Sequence, residues 1–396
     1  MITVEEALEI IFYHQVDFGT ELVSLNNAAG KILRESVTAD RDFPPFDRVT
    51  MDGIAIHYQA FKNGSVSFVI EGEAPAGLPV VSLKDPGKCL EVMTGAVLPE
   101  GTDTVVRYED VEIRDGIAKI LIEEIRFQQN VHFQGMDRKQ GDPIFRDGIA
   151  LGPAQLGVCA TVGQDPIQVS RTPKALIIST GDELVEVHEI PAPHQIRKSN
   201  IAQLRALLDI FKITPDTLHL TDDYDEILTK LKNAVDDYDL ILLSGGVSKG
   251  KYDFLPKALD ELGVEKLFHK IRQRPGKPFW FGRKEHCFVF AFPGNPVSSF
   301  MCANRYLRPW LAACLQQKIQ QPEFAKLAEE VAFKPDLTYF LEVQLRSNTQ
   351  GVLEAHPVKG NGSGDLANLV DADAFIQLPQ GRNVYEAGGV YPVWRY

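Results

Sequence analysis

Residues 239–299 constrain the fold more than any other stretch. The apolar run 240–243 stops at Ser244 and opens into Gly245, Gly246 and Gly250 before a helical pattern begins near Phe254, which is how a buried strand feeds a phosphate-cradling turn. Glycines in such a turn let backbone N–H groups approach an anion that a side chain would hold off. Further along, Arg274-Pro275-Gly276-Lys277-Pro278 and Pro293-Gly294-Asn295-Pro296 each border an apolar, strand-like run. Three turns of unusual composition are therefore expected to converge at one edge of a sheet, with Ser244, Gly245, Gly246 and Ser248 in the first of them.

The surrounding pattern alternates. A strand over 175–179 precedes the loop Thr180-Gly181-Asp182-Glu183; then come a helix from Ser199, a strand over 217–220, the triplet Thr221-Asp222-Asp223, a helix to about Val235 and the central strand. Such alternation predicts a parallel sheet whose ligands lie beyond the carboxyl ends of its strands. By that rule Glu183, Asp222, Asp223, residues 244–253 and residues 293–296 share one rim. At the N-terminus, Thr3 and Glu6 form a capping box ahead of Ala7, Leu8, Ile10 and Ile11, predicting a helix to about His14. Residues 42–53 then break all periodicity. Pro44 and Pro45 forbid helix and central strand alike, and Asp52-Gly53 calls for a tight turn; the segment also reads as a domain linker. From 54 to 127, short β-rich runs predict a small β domain, whereas 130–165 return to mixed structure, with Asp137 in a glycine-bearing loop. After residue 320 short strands predict a compact β-barrel or sandwich. The expected fold class is multidomain α/β and β. It has a central doubly wound, mostly parallel α/β domain over 171–320 and an N-terminal α+β domain built from 1–45 and 130–170. An inserted β domain spans 46–129, and a C-terminal small β-barrel spans 321–396.

The chain has 41 Lys+Arg against 54 Asp+Glu, formally −13, yet residues 249–284 hold ten basic and four acidic side chains. A local excess of positive charge inside an acidic protein is an anion trap. Lys257 and Lys266 read as a solvated helix face. Lys277 differs, because Pro275, Gly276 and Pro278 fix its backbone, and a positioned cation needs rigid support. The alternate spacing of Lys270, Arg272 and Arg274 places the three on one face if the segment is a strand, and Pro275-Gly276 then turns Lys277 toward the glycine loop. Gly245-x-x-x-x-Gly250-Lys251 has Walker spacing, but Tyr252 stands where a Ser or Thr hydroxyl would bind Mg²⁺. Asp253 reads equally as a hard oxygen ligand for Mg²⁺ and as the N-cap of the next helix. Acidic net charge argues against nucleic acid. No apolar stretch approaches the roughly 20 residues that span a bilayer, and MITVEEALEI lacks the basic residues of a signal peptide. The five cysteines lack Cys-x-x-Cys spacing and the nine histidines are scattered, so neither a disulfide framework nor a zinc site is expected and the cytoplasm is the natural compartment. No Ser-His-Asp or Cys-His arrangement is evident.

Six segments in order, PPFDRVTMDGIA, MTGAVLP, STGDEL, LLSGGVSKGKYDF, RPGKPFWFG and FPGNPVS, resemble the MoeA family of molybdopterin molybdenumtransferases, whose eukaryotic relative is the E domain of gephyrin. The resemblance implies a transferase of molybdenum cofactor synthesis that inserts molybdate into adenylylated molybdopterin and releases AMP, with Mg²⁺. It also implies an elongated homodimer of four-domain subunits, in transient contact with molybdopterin adenylyltransferase and molybdoenzyme targets. Carried over by position, catalytic roles fall on Asp52, Thr94, Asp137, Glu183, Asp222 or Asp223, and Asp253, and metal binding on Asp253, Glu183 and Asp223. Substrate contacts fall on Lys270, Arg274, Lys277, Pro293, Pro296, Arg346 and Ser363. Departures from the family pattern at Val49-Thr50, Ile54 and Val97 bear on the shape of the N-terminal side of the cleft, not on the reaction class. No protein nucleophile is required, because the dithiolene sulfurs attack molybdenum. Two alternatives are a molybdopterin adenylyltransferase, which would not need residues 1–165 or 321–396, and a gephyrin-like scaffold for receptor tails, which would be expected to carry a fused adenylyltransferase domain.

Overall fold

The computed structural model describes residues 1–221, 223–246, 254–318, 321–360, 362 and 364–396. Asp222, Ser248, Asp253 and Ser363 lie outside the described residues, as do Lys251 and Tyr252 of the Walker-like spacing. The chain forms two compact units, one of Met1–Glu35, Asp147–Leu156 and Pro166–Tyr396, the other of Ser36–Arg146 and Gly157–Asp165.

The first unit opens with α1 (Val4–Tyr13). Thr3 Oγ1 accepts the Glu6 N–H at 3.1 Å while the Glu6 carboxylate accepts the Thr3 N–H at 2.7 Å, so the capping box forms as expected. The central layer runs β1 (Ala175–Thr180), α2 (Ser199–Asp209), β2 (Asp216–Leu220), α3 (Tyr224–Asp237), β3 (Leu240–Ser244), α4 (Leu255–Glu261), β4 (Glu265–His269), β5 (Trp280–Lys284), β6 (Cys287–Phe292) and α5 (Pro296–Cys302). The strand order is β2-β1-β3-β6-β5-β4; the first four strands are parallel, and β5 and β4 are antiparallel additions at one edge. Every residue of β1, β3 and β6 is buried, which is what an apolar run without polar alternation requires of a sheet covered on both faces. Ile177, Leu240, Leu242 and Phe290 face the core that includes α1 and α2, whereas Ile178, Ile241, Leu243 and Val289 face α3 and α4. Each such side chain contributes about 1.5–3 kcal/mol on burial. Ser179 pairs with Ser244, Ser244 with Phe292 and Thr180 with Leu220, so the carboxyl ends are level and form one rim.

Beyond β4 the chain departs from the sequence reading. An extended 270–274 would place Lys270, Arg272 and Arg274 on one face, but Lys270 has φ +73°, a left-handed conformation that ends a strand. The chain then changes sheets. Ile271 bridges Ile2 in parallel, and Gln273–Arg274 pairs in parallel with Thr338–Tyr339 of the C-terminal sheet. That sheet comprises β7 (Glu323–Leu327), β8 (Thr338–Ser347), β9 (Leu353–Pro357), β10 (Ala374–Leu378) and β11 (Val390–Arg395) in the order β8-β9-β7-β11-β10, with β10 pairing back to β8. It is a closed barrel, an architecture that leaves no free edge within the ring.

The second unit is built on a six-stranded sheet in the order Thr104–Arg107, Gly53–Ile56, Cys89–Val92, Ser67–Ala74, Ile117–Ile120, Val111–Arg114. Gly53 begins a fully buried central strand rather than completing a tight turn. A Cβ there would collide with the Val106 carbonyl oxygen and meet Arg107 Cα at 2.8 Å, so the residue is glycine because two backbones approach closely. Among the described residues no helix is long and apolar enough to cross a membrane.

Candidate active site

At the level rim, the strand ends open onto a cavity of about 640 Å³. β1 supplies Ser179 and Thr180 with the following Gly181 and Glu183, β3 supplies Ser244 with Gly245 and Gly246, and the turn after β6 supplies Gly294, Asn295 and Pro296. Gly245 and Gly246 have φ +95° and +68°. At Gly246 a Cβ would meet Leu255 Cδ1 at 2.7 Å and Thr180 Oγ1 at 3.1 Å, so conformation and space both demand glycine. Glu183 is the one carboxylate in the described lining, and it folds back over Gly181, whose added Cβ would meet Glu183 Oε1 at 2.9 Å. A single carboxylate completed by phosphate and water is a donor set that Mg²⁺ accepts. Asp223 spends Oδ1 on the Glu226 N–H at 2.9 Å, capping α3. Among the described residues no three His, Cys, Asp or Glu side chains cluster closely enough to hold a metal.

Several lining residues escaped the sequence reading. Asn200, in the first turn of α2, donates from Nδ2 to Ser244 Oγ and to Gly294 O, each at 2.9 Å, and ties two of the three turns together. Its Oδ1 is buried without a partner among the described residues. Lys198 also lines the cavity and pairs with Glu186 at 2.5 Å, which holds that carboxyl below its usual range. The Ser179 hydroxyl meets His219 Nδ1 at 2.9 Å, a contact across two neighbouring strands that no sequence spacing reveals.

The third turn opens onto a second cavity, of about 330 Å³, lined by Arg274 to Pro278, Pro293, Asn295, Ser298, Tyr339 and Glu342. Asn295 belongs to both linings, so the cavities are neighbours. Lys277 lines this second cavity and not the one beside the glycine turn, while Lys270 lines neither. The arm rests on a buried polar cluster: Gln273 Nε2 donates to Gly276 O at 3.1 Å and its Oε1 accepts the Tyr306 hydroxyl, with Cys302 alongside. Gly276, at φ +84°, leaves no room for a Cβ beside Cys302 Sγ. Arg346 sits exposed near the end of β8, bonded to Gln344 at 3.0 Å, outside both linings. Gly362 lines the second cavity and Gly364 the first.

Asp52, Thr94 and Asp137 belong to the second unit. Asp52 accepts the Thr94 N–H at 2.6 Å and the Thr94 hydroxyl at 2.8 Å, and these bonds lower its carboxyl from the ordinary value. Asp137 meets His132 Nε2 at 3.0 Å, and His132 Nδ1 meets Arg48 at 3.2 Å. Segment 47–53 connects the two groups, since Gly95 donates to Val49 O and Arg48–Val49 pairs with Val131–His132.

Comparison with known proteins bears on this arrangement directly. Residues 2–163 match the MoeA N-terminal region (domains I and II), 176–313 a probable molybdopterin binding domain, and 325–396 the MoeA C-terminal region (domain IV). A molybdopterin molybdenumtransferase of Synechocystis is 38% identical over 400 residues, with both chains covered completely. The chain belongs to the MoeA family. Another molybdopterin molybdenumtransferase, from Bacillus subtilis, is 31% identical over 98% of this chain and 92% of its own. The crystal structure of the MoeA protein of Pyrococcus horikoshii superposes with a TM-score of 0.83 at 27% identity, both chains being fully covered. The α/β layer, the barrel and the second unit are thus the MoeA fold.

Proposed function

We propose that this MoeA-family chain inserts molybdate into adenylylated molybdopterin with release of AMP, as a molybdenumtransferase of molybdenum cofactor synthesis. In this reading the first cavity takes the phosphate-bearing pterin nucleotide and the second takes the oxyanion. The observation that carries it is the shared wall: Asn295 separates a glycine-turn cavity from one lined by Arg274 and Lys277. A phosphorylated substrate and a tetrahedral dianion thereby meet backbone amides in one cavity and fixed cations in the next. The dithiolene is its own nucleophile, so the protein's part is positioning and charge. Ser244, Gly245, Gly246, Ser248 and the 293–296 turn hold the nucleotide, Arg274 orients the oxyanion through paired N–H donors, and Lys277 attracts it as a point charge. Lys270, Arg346 and Ser363 stand as more peripheral substrate contacts.

Mg²⁺ would be held by Glu183 with Asp253 and Asp223, substrate phosphate and water completing its shell, and would supply charge neutralisation there. The working form is a homodimer in the cytoplasm, four domains to a subunit, in which Asp52, Thr94 and Asp137 of one chain complete the site of the other. Transient contacts with the adenylyltransferase and with molybdoenzyme targets follow from what is received and delivered.

The test is turnover of adenylylated molybdopterin plus molybdate, run beside molybdopterin plus ATP. Molybdenum insertion in the first with no adenylylation in the second is expected. Arg274→Lys should lower turnover although charge is kept. Lys277→Ala should weaken binding by about 1.5–3 kcal/mol, roughly tenfold to a hundredfold, with less salt dependence. Full activity in both variants, or adenylylation by the chain, would sink the reading.

A further inference from the structure

The second cavity contains a group that an oxyanion site would ordinarily exclude. Glu342, on β8, lines it together with Arg274 and Lys277. It is half-buried, and burial followed by the charge of Asp365 pushes its carboxyl above the usual range. A like charge within about 4–6 Å of a carboxylate drives it toward the protonated form, and an anion taken up by a cavity of only about 330 Å³ shares its lining with Glu342. A protonated carboxyl beside an oxyanion is no longer repulsive. It is an O–H donor, as in sites that keep a carboxylic acid neutral so that it can donate a hydrogen bond.

We propose that Glu342 couples oxyanion binding to the uptake of one proton: as a tetrahedral dianion enters between the Arg274–Lys277 arm and the barrel, the carboxylate gains a proton from solvent and donates it in a hydrogen bond. This rests on the reading that the second cavity takes the oxyanion, and adds to it a selectivity device, because a dianion that cannot accept from a carboxylic acid is left facing a negative charge. Glu342 shares its surroundings with other charged and titratable groups. Tyr339 lies on its own strand and Tyr396 at the C-terminus, both phenols held above their ordinary values, chiefly by burial. Asp365 approaches from the loop before residue 366, Arg274 and Lys277 from the arm, and Glu329, Glu330 and Lys359 line a further cavity that Glu342 also borders.

The sign follows from linkage. Between the titration point of Glu342 in the free protein and its higher one in the complex, binding takes up a proton. Affinity therefore falls as pH rises, by up to tenfold per pH unit, and is flat outside that window. Calorimetry of the full chain with molybdate, and separately with sulfate, at several pH values and in two buffers of different ionisation heat counts the protons. Sulfate does not titrate in the neutral range, so uptake seen with both anions belongs to the protein. The expected result is an uptake approaching one proton per anion in the wild type, and in Glu342→Gln a flat profile with binding at high pH at least as tight as the wild type's. Anion binding by the wild type with no uptake overturns this inference and leaves the parent reading standing; a Glu342→Gln variant that keeps the full slope does the same. Absence of binding of either anion at every pH overturns the parent reading and this inference with it.

Discussion

Asn200 holds two turns of the rim with one amide, and removing it has a calculable effect. Its Nδ2 donates to Ser244 Oγ and Gly294 O at 2.9 Å each. A neutral hydrogen bond contributes about 0.5–1.5 kcal/mol net, and a buried group left without its partner costs about 1–3 kcal/mol. Ser244 is only 4% exposed, so its hydroxyl regains little from water when Asn200→Ala is made, whereas Gly294 is exposed at the cavity lining and its carbonyl can be resolvated. The loss should be about 1.5–2.5 kcal/mol, which at about 2–4 °C per kcal/mol lowers the melting temperature by several degrees. Asn200→Asp is nearly isosteric but replaces the donor by an acceptor, setting a carboxylate oxygen against the Gly294 carbonyl. It should therefore melt lower than the alanine variant, reversing the order that shape alone gives. Calorimetric melting ranks the three proteins, and amide exchange at Gly245, whose N–H bonds Phe292 O at 3.2 Å, should quicken in both variants. An aspartate variant that melts with the wild type and protects Gly245 equally well refutes the reasoning.

Two further outcomes are expected. Gly276→Ala and Gly263→Ala both put alanine at positive φ (+84° and +74°), but an added Cβ meets Gln273 Nε2 at 2.8 Å and Met301 Cε at 3.0 Å at the first position and open space at the second. Left-handed strain alone costs about 1–2 kcal/mol and overpacking adds about 1–3 kcal/mol, so denaturant midpoints should separate the pair, and equal losses would show that the arm yields freely. For Asp52, the Thr94 N–H and then its hydroxyl lower the carboxyl from 3.8. With the folded value depressed, the stabilisation is present above the ordinary carboxylate value and disappears as pH falls through the folded one. Thr94→Val keeps the N–H bond and loses the hydroxyl bond, so carboxyl-carbon NMR should find Asp52 titrating at higher pH than in the wild type while staying below 3.8; an unmoved midpoint would mean the hydroxyl does nothing.

The α/β layer was legible because its signals are local. A capping box, three strands built on unbroken apolar runs and glycines at a strand end each follow from a few neighbouring residues, and strand bounds such as Asp216–Leu220 fall within a residue or so of the pattern. What stayed hidden depends on contacts far apart in sequence. Asn200 reaches residues 44 and 94 positions away, and nothing in the stretch Lys198-Ser199-Asn200 distinguishes it from a helix start. Glu342 reads as one polar residue in a barrel strand, and becomes unusual only when the arm comes to lie beside it. Alternation misled at residues 270–274, where spacing matched a strand but Lys270 turned left-handed and the chain left its sheet. Asp52-Gly53 carried a turn signal, yet the glycine is fixed by the neighbouring strand's backbone, which sequence patterning does not register.

The pairing of Gln273–Arg274 with Thr338–Tyr339 also limits how such a chain can be divided over evolutionary time. A barrel attached to the α/β layer by its connecting segment alone would be a cassette, free to be lost or exchanged while the layer kept its chemistry. Here the two hold a hydrogen-bonded ladder in common, and the barrel walls one side of the second cavity. Removing residues 325–396 would take the backbone partner of Arg274 and the cavity's far wall in a single event. Arm and barrel are therefore inherited as one part, and a chain made of the α/β layer alone needs another way to fix its basic turn before it can handle the same anion.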